Sequence, residues 1–462
     1  VPDAVRHDAH GWWIAEAGGG PIPAHPLRGS VDADVVVVGG GFCGLWTAWH
    51  VLEAEPDARV AILEADRCGF GPSGRNGGFV ESLWLSRPGM RAAFGAAEAD
   101  AVAVASRDSV RAIGAFCDAE GVDAWYRPGS QLVVSTARGQ DGRGAAAVDG
   151  EEILACTAAE IRARCDSPVF RDGVDIRTSA TVHPARLAFG LRDRLRARGA
   201  LMFEASRVRA LRAGDGMLTA ETAAGRVRAR AGAVAINAAS GTLAPLADRQ
   251  TVGSSHIVLT EPVPDVVEAL GWTGGEAITD GRALLHYTRV TRDRRILFGW
   301  AGGRMAAGAR TDGRMEVDAG VVRQVRRDLL RFFPALAARA IEHAWGGPID
   351  VSPTHLPMIA ALPGGAVHAA FGFTGNGVGP SHLAGRILAS LALDRRDALS
   401  RLALVEPPPR RLPGEPARIA GAALLRRALA REEAADEAGA RTDPVTRTLA
   451  GLPARMGVHI VR

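Results

Sequence analysis

Short β-branched runs bounded by glycine alternate along this chain with longer stretches in which apolar residues recur every three or four positions. "DADVVVVGGG" is of the first kind: Val35 to Val38 leave no polar position for solvent, which predicts a strand buried on both faces. Leu45, Ala48, Trp49 and Leu52 then fall at i, i+3, i+4 and i+7, one apolar face of a helix that Pro56 closes. "ARVAILEA" predicts a second buried strand. Strand, helix and strand within about thirty residues make the β-α-β unit that a parallel sheet requires.

Farther on, residues 91–165 turn helical and alanine-rich around the strand-like "SQLVVST". "ATVHPARLAFGLRDRLRARGALMFEASRVRAL" predicts turn, helix and strand, and "AGAVAINAASG" a further apolar strand that returns to the first sheet. "SSHIVLTEP", "ALLHYTRV" and "RILFGW", with a turn at Arg292 and Asp293, predict an antiparallel sheet. "AVHAAFGFTGNGVGPSHLAGRILASLAL" reads as strand, glycine loop and helix. Past "EPPPRRLPGEP", the segment "ARIAGAALLRRALAREEAADEAGA" predicts an amphipathic helix docked on the body. The pattern divides the chain into an N-terminal arm, 1–30, whose Trp12 and Trp13 pack on the body, and a discontinuous nucleotide-binding domain, 31–90, 166–241 and 343–400. A substrate domain follows from 91–165 and 242–342, and a C-terminal helical extension from 401–462. No internal repeat is visible.

Composition narrows the chemistry. At 462 residues and 47% hydrophobic, the chain can bury more than one core. All 55 basic residues are arginine against 51 acids, a net charge of +4. The absence of lysine excludes a GK(S/T) phosphate loop, a lysine Schiff base and an ammonium beside a redox centre. The arginines are interleaved with acids and form no basic arm with aromatics, so no nucleic-acid partner is expected. Cys43, Cys68, Cys117, Cys156 and Cys165 include no CxxC pair and are odd in number, which suggests neither a zinc site nor a complete disulfide framework. With no apolar run long enough for a bilayer and no leader-like start, the expectation is a cytoplasmic protein without a membrane span.

Gly39, Gly41 and Gly44 satisfy GxGxxG at the junction of strand and helix, where a tight turn, a close pyrophosphate and close helix packing each exclude a side chain. Glu64, at the end of the second strand, is placed to bond ribose hydroxyls. "SGRNGG", Ser73 to Gly78, follows, and a further glycine loop spans Gly372 to Gly379. Two glycine sites so far apart suit an elongated cofactor gripped from both ends, and FAD fits this better than NAD.

With "DVVVVGGGFCGLWTAW", "VAILEADRCGFGPSGRNGGF", "AWGG" at Ala344 to Gly347 and "GFTGNGVGPSHLAGRILA", the chain resembles the D-amino-acid-oxidase-like (DAO) family of FAD-dependent oxidoreductases. Its SGRNGG form is similar to the bacterial amine-oxidase branch that includes gamma-glutamylputrescine oxidase. The resemblance runs from about Trp12 to Leu393 and implies an α/β fold. That fold joins a Rossmann-type, glutathione-reductase-like FAD-binding domain to a second, antiparallel-sheet substrate domain. It places FAD against Gly39, Gly41, Phe42, Cys43 and Gly44, then Glu64 and Ala65, then Ser73, Gly74, Arg75, Asn76, Gly77 and Gly78. Val208, Ala238 and Gly346 are further expected contacts, and Gly375, Asn376, Gly377 and Val378 are expected at the flavin edge where a helix begins. Some relatives attach FAD through a histidine near the first of these loops or a later cysteine. Asn76 stands here instead and no cysteine follows Cys165, so non-covalent FAD is expected.

The resemblance also implies the reaction. A C–H next to nitrogen in an amine or amino acid gives hydride to flavin N5, the imine hydrolyses, and O2 reoxidises the flavin with release of H2O2. His256 is the candidate to deprotonate a bound ammonium, although a lone strand histidine is as readily structural. Tyr287 and Arg289, two apart, share a strand face and would form a carboxylate clamp; a half-buried aromatic beside a solvent-facing arginine explains them nearly as well. Trp84, Trp300 and His355 are further wall candidates, with core packing the simpler account of both tryptophans. Sarcosine-oxidase relatives use a lysine to help oxygen, and none exists here. The acceptor therefore stays open between O2 and a quinone or electron-transfer protein, and a flavin-binding scaffold subunit is the alternative outside enzymes. Oligomeric state is not legible.

Overall fold

The computed structural model describes residues 5–7, 10–19, 25–142, 144–214, 216–407 and 410–452. Among these residues the strands form three sheets. The first has six strands, in the order Met358–Ala361, Val367–Phe371, Ala231–Val234, Val35–Val38, Val60–Leu63 and Leu201–Phe203. It is parallel except at the Met358–Ala361 edge. All four residues of Val35–Val38 are buried, as expected of a strand with covered faces.

The helix that follows, Phe42–Ala54, departs from its predicted single apolar face. It is buried from Phe42 to Trp49 and again at Val51 and Leu52, because the helix Val378–Ala392 covers the side that the sheet leaves open.

The large sheet has eleven strands. Its main path runs Arg6–His7, Ile341–Val351, Thr251–Thr260, Ile296–Trp300, His286–Val290, Ala277–Asp280, Arg127–Val134, Gly173–Thr181 and Phe79–Val80. The strands from Thr251 to Trp300 that lie next to one another pair antiparallel, as predicted. Two junctions are parallel instead: Ala277–Asp280 on Arg127–Val134, and Arg6–His7 on Ile341–Val351. The sheet also takes in Gly173–Thr181 and Ile341–Val351, which the sequence pattern groups with the nucleotide-binding segments. Ile341–Val351 is eleven residues long, and its Asp350 accepts hydrogen bonds from Asn237 and Gly372.

A third sheet of four strands, Ala210–Gly214, Met217–Glu221, Gly225–Ala229 and Gly29–Asp32, was not anticipated. In the arm, Trp12–Glu16 coils into a short helix, and Trp13 is fully buried against His183 and Trp12. The extension forms the helix Ala417–Glu437, docked through Ala428 and Leu429 on Ala283 and Leu284. Arg426 donates to the Gly302 carbonyl (3.0 Å), and the Leu284 N–H donates to Glu433 (3.1 Å). Residues 453–462 of the predicted extension lie outside the described residues. No helix among the described residues is long and apolar enough to cross a membrane.

Candidate active site

A cavity of about 520 Å³ lies between the first sheet and one face of the large sheet. Its first end is built by the turn out of Val35–Val38. Gly39 has φ +111°, and a β-carbon there would strike the Ala235 carbonyl. A β-carbon on Gly44 would land on the carbonyl oxygen of Gly39, so this helix can begin so close to its strand only with glycine. The Gly40 N–H donates to Glu64 Oε2 (2.7 Å) and the Asp66 N–H to Oε1 (2.8 Å); burial nonetheless raises the Glu64 pKa. Ser73 Oγ accepts from the Phe42 N–H (2.7 Å), tying the second loop to the first. The first-turn N–H groups beyond Phe42 and the helix dipole put positive potential where Gly41, Phe42 and Cys43 line the wall.

Asn76 acts within its own loop. Its amide donates to the Pro72 (3.1 Å) and Ser73 (2.9 Å) carbonyls and accepts from the Gly78 N–H (2.7 Å). Arg75 donates to Glu316 (3.0 Å), and its carbonyl accepts from Trp345 Nε1 (2.7 Å). The polar groups that the sequence assigned to cofactor recognition thus also fasten the loop, while both residues still line the cavity.

At the far loop, the helix Val378–Ala392 starts at the wall. Beside it Asp350 is fully buried, accepting from the Gly372 N–H (2.5 Å) and from Asn237 Nδ2 (3.0 Å); burial pushes its pKa up to about 7. The sequence reading missed Asp350, whose only signal is a lone acid in an apolar strand.

Most expected cofactor contacts do meet at this cavity. Gly39, Gly41, Phe42, Cys43, Glu64, Ala65 and Val208 line it at one end. Ser73, Arg75, Asn76 and Gly77 line its middle, with Gly346, Gly375, Asn376, Gly377 and Val378 beyond. Gly44, Gly74, Gly78 and Ala238 are not among the lining residues; Gly44 and Gly78 serve behind the wall through close backbone packing. Glycine linings at both ends, a carboxylate near the first and a helix N-terminus at each suit a long phosphate-bearing cofactor such as FAD.

The remaining wall is one row across the large sheet. Thr279 pairs with Tyr287, Tyr287 with Gly299, Gly299 with Ile257, and Ile257 with Trp345. Directly paired residues share a face, so the row presents one surface. A β-carbon on Gly299 would overlap the Tyr287 ring, so glycine lets that ring lie along the sheet. Ser255 Oγ lies 2.7 Å from the Tyr287 hydroxyl and donates to the Trp300 carbonyl at 3.1 Å. A serine has one proton, and a carbonyl only accepts, so the Tyr287 O–H donates to Ser255. The Tyr287 oxygen keeps lone pairs for a ligand N–H, and burial raises its pKa far enough to hold it as the neutral phenol.

Two of the three catalytic candidates are not brought to this surface. His256 sits between Ser255 and Ile257, so alternation turns it to the opposite face, where Nε2 meets Ser254 Oγ at 3.1 Å. Burial lowers its pKa to about 4, which keeps it neutral in the working range. Arg289 does share a face with Tyr287, but its guanidinium passes behind the glycine loop. It donates to the carbonyls of Gly78 and Val182 (2.8 Å each) and Gly77 (3.4 Å), so the carboxylate clamp is not built. Burial lowers the Arg289 pKa to about 9. Trp84, Trp300 and His355 do not line the cavity; Trp84 donates to Asp149 (2.6 Å). The sequence reading overlooked Ser255, Ile257, Thr279, Leu285, Ala301 and Glu81, which do line it.

His256 gives a pH prediction. Its folded pKa lies below the ordinary histidine value, so on acidification the unfolded chain takes the proton first. The stability that neutral His256 contributes is present above about pH 6.5 and is lost as pH falls toward 4. Replacing His256 with glutamine should remove about 2 kcal/mol of the stability loss between pH 7 and 4, read by urea unfolding at stepped pH. Because His256 faces away from the cavity, the pH profile of flavin reduction should stay as in wild type.

Compared with known proteins, residues 34–391 match the family described as FAD dependent oxidoreductase (DAO). The chain is 29% identical over 402 residues to the gamma-glutamylputrescine oxidoreductase of Escherichia coli, covering 82% of this chain and 89% of that one. It is 28% identical over 401 residues to the probable oxidoreductase OrdL of Rhizobium meliloti, with the same shares covered. Among solved structures, glycine oxidase from Geobacillus kaustophilus superposes with a TM-score of 0.65 at 20% identity, over 81% of this chain and 99% of that one. Taken with the glycine-built cavity, these matches establish that the chain belongs to the DAO family of FAD-dependent oxidoreductases.

Proposed function

We propose that this chain oxidises a carbon–nitrogen bond in a primary or secondary amine or an amino acid, using non-covalently bound FAD. The observation that carries this is the row Thr279, Tyr287, Gly299, Ile257 and Trp345, set opposite the glycine loops, with the Tyr287 proton already committed to Ser255. The names of the relatives, a gamma-glutamylputrescine oxidoreductase and a glycine oxidase, support a nitrogen-bearing substrate.

Gly41, Phe42 and Cys43 would hold the phosphates of FAD, Glu64 and Val208 its adenosine end, and Gly346 with Gly375 to Val378 the ring end. When bound, FAD supplies the acceptor, at N5, for hydride from the carbon beside the substrate nitrogen. The chain's own residues do the rest. Tyr287 accepts a hydrogen bond from the substrate nitrogen and orients it. Ile257, Leu285 and Ala301 exclude water from the reacting carbon. The first-turn N–H groups of Val378–Ala392 offset negative charge gained at that end. The product imine hydrolyses, and O2 takes the electrons with release of H2O2. The absence of lysine favours one alternative for this last step, a quinone or electron-transfer protein as acceptor.

The test is anaerobic titration of the purified yellow protein with amines and with D- and L-amino acids, followed by air. Bleaching of the flavin absorbance by either class is expected. Recovery within seconds in air would identify O2 as acceptor and slow recovery another acceptor. A flavin that dithionite bleaches and no amine or amino acid does would overturn the reading and favour a scaffold subunit.

A further inference from the structure

We propose that the C-terminal helix Ala417–Glu437 is a working part of the cavity: through Arg426 and Glu433 it sets where Leu285 and Ala301 stand, and so the size of substrate admitted. This rests on the carbon–nitrogen oxidation reading above and adds what selects among its substrates.

Two loops complete the wall that the row begins. Residues 281–285 join Ala277–Asp280 to His286–Val290, and residues 301–304 follow Ile296–Trp300. Leu285 and Ala301 line the cavity. The Ala301 N–H donates to the Leu285 carbonyl (3.0 Å), so a shift of either loop is passed to the other. Asp280 ties the ends of the first loop together, since its carboxylate accepts from the His286 N–H (2.8 Å). The middle of that loop is held by the helix.

Arg426, Leu429, Glu433 and Glu437 stand three, four and four apart and so form one stripe of the helix. Glu433 accepts from the Leu284 N–H, next to Leu285, and Arg426 donates to the Gly302 carbonyl, next to Ala301. Leu429 packs with Ala283 and Leu284. Glu437 pairs with Arg282 and with Arg331 (3.3 Å), and Arg282 pairs in turn with Asp280 at 3.0 Å. The Arg426 and Glu433 contacts both end on main-chain atoms, so they fix the path of each loop whatever side chains it carries. Charge assistance makes such bonds stronger than neutral ones. The helix begins beyond residue 391, where the family match ends, so this support comes from outside the family region.

A small displacement here has leverage on selection. One methylene more or less in an apolar pocket shifts discrimination by about tenfold or more. Ile257 and Tyr287 are locked in the pairing of the sheet, whereas Leu285 and Ala301 are apolar groups carried on loops. The helix is thereby the element that fixes the width of the cavity on their side.

The experiment compares wild type, Glu433→Ala, Arg426→Met and the double variant as FAD-loaded full chains. Hydrogen exchange read by mass spectrometry follows residues 281–285 and 301–304. Anaerobic flavin reduction is measured with ethylamine against phenethylamine, and with alanine against phenylalanine in D and L forms, pairs that differ by a phenyl ring. In the double variant both loops should exchange about tenfold faster or more. The half-saturating concentration of the phenyl probe, divided by that of its small partner, should fall by about fivefold or more. The limiting rate for the small probe should change by less than about twofold, with flavin content kept. Glu433→Gln, whose amide oxygen still accepts from the Leu284 N–H, should recover most of what Glu433→Ala loses. Leu424→Ala, at a position 51% exposed on the far side of the helix, should match wild type in every readout. A double variant with a lowered thermal midpoint and an unchanged ratio would overturn the proposal and leave the helix a stabilising cover. Unchanged loop exchange would overturn it as well. Wild type reduced by none of the probes would sink the underlying reading instead, and the exchange comparison still decides whether the helix holds the loops.

Discussion

Gly44→Ala should purify colourless, with flavin per protein reduced to a trace. The added β-carbon meets the Gly39 carbonyl, which belongs to the turn out of the central strand and cannot retreat without dragging Val35–Val38 along. The helix Phe42–Ala54 must lift instead. That withdraws its first-turn N–H groups from the phosphate end and breaks the Phe42 to Ser73 bond. Overpacking of this kind costs about 1–3 kcal/mol in stability. The loss of FAD affinity should be larger, about a hundredfold or more, because the site is displaced as a unit. Fluorescence titration of the flavin-free protein with FAD checks the affinity, and urea unfolding the stability. Gly89→Ala is the control: a β-carbon there meets nothing within 4 Å, so its flavin content should match wild type. If Gly44→Ala keeps full flavin, the helix is not held as closely as the glycine implies.

The second large effect is expected at Arg289. Arg289→Met should lower stability by about 3 kcal/mol, since the carbonyls of Gly77, Gly78 and Val182 lose a buried charged donor. Freed of that tie, the Ser73 to Gly78 loop should also release FAD faster, read as the rate at which flavin fluorescence appears on dilution. Arg289→Lys should fall between the two, because one ammonium cannot reproduce the fork of a guanidinium. The outcome separates two roles for the same residue. A carboxylate clamp would raise the half-saturating concentration of amino acids and leave stability alone; a loop fastener does the reverse.

What could be read without coordinates was whatever depends on neighbours in sequence. Gly39, Gly41 and Gly44 are legible because a strand, a turn and a helix in succession impose their own steric limits. The central strand is legible because four consecutive valines leave no face for water. His256 was misjudged for a simple reason: alternation says that Ser255 and Ile257 face one way and His256 the other, but not which way the cavity lies. Arg289 shares the expected face, but where its guanidinium goes depends on carbonyls 107 to 212 residues away, which the local pattern does not show. Glu81 was invisible for the same cause, its partners lying 50 residues away in Gln131 and, through that amide, in Thr279. The unbroken burial of Phe42 to Trp49 likewise depends on a helix from the far end of the family region.

The strand Ile341–Val351 behaves as a ruler shared by two tenants. Trp345 and Gly347 line the cavity, and Asp350 is bonded to Asn237 and Gly372 beside the far loop. A slip of one position would turn Trp345 from the cavity and carry Asp350 off its partners in the same stroke. A register slip of the whole strand therefore cannot alter one function and spare the other. Variation in what such a protein accepts is thereby channelled into positions outside the ruler, such as Leu285 and Ala301 on their loops, while the ruler itself holds still.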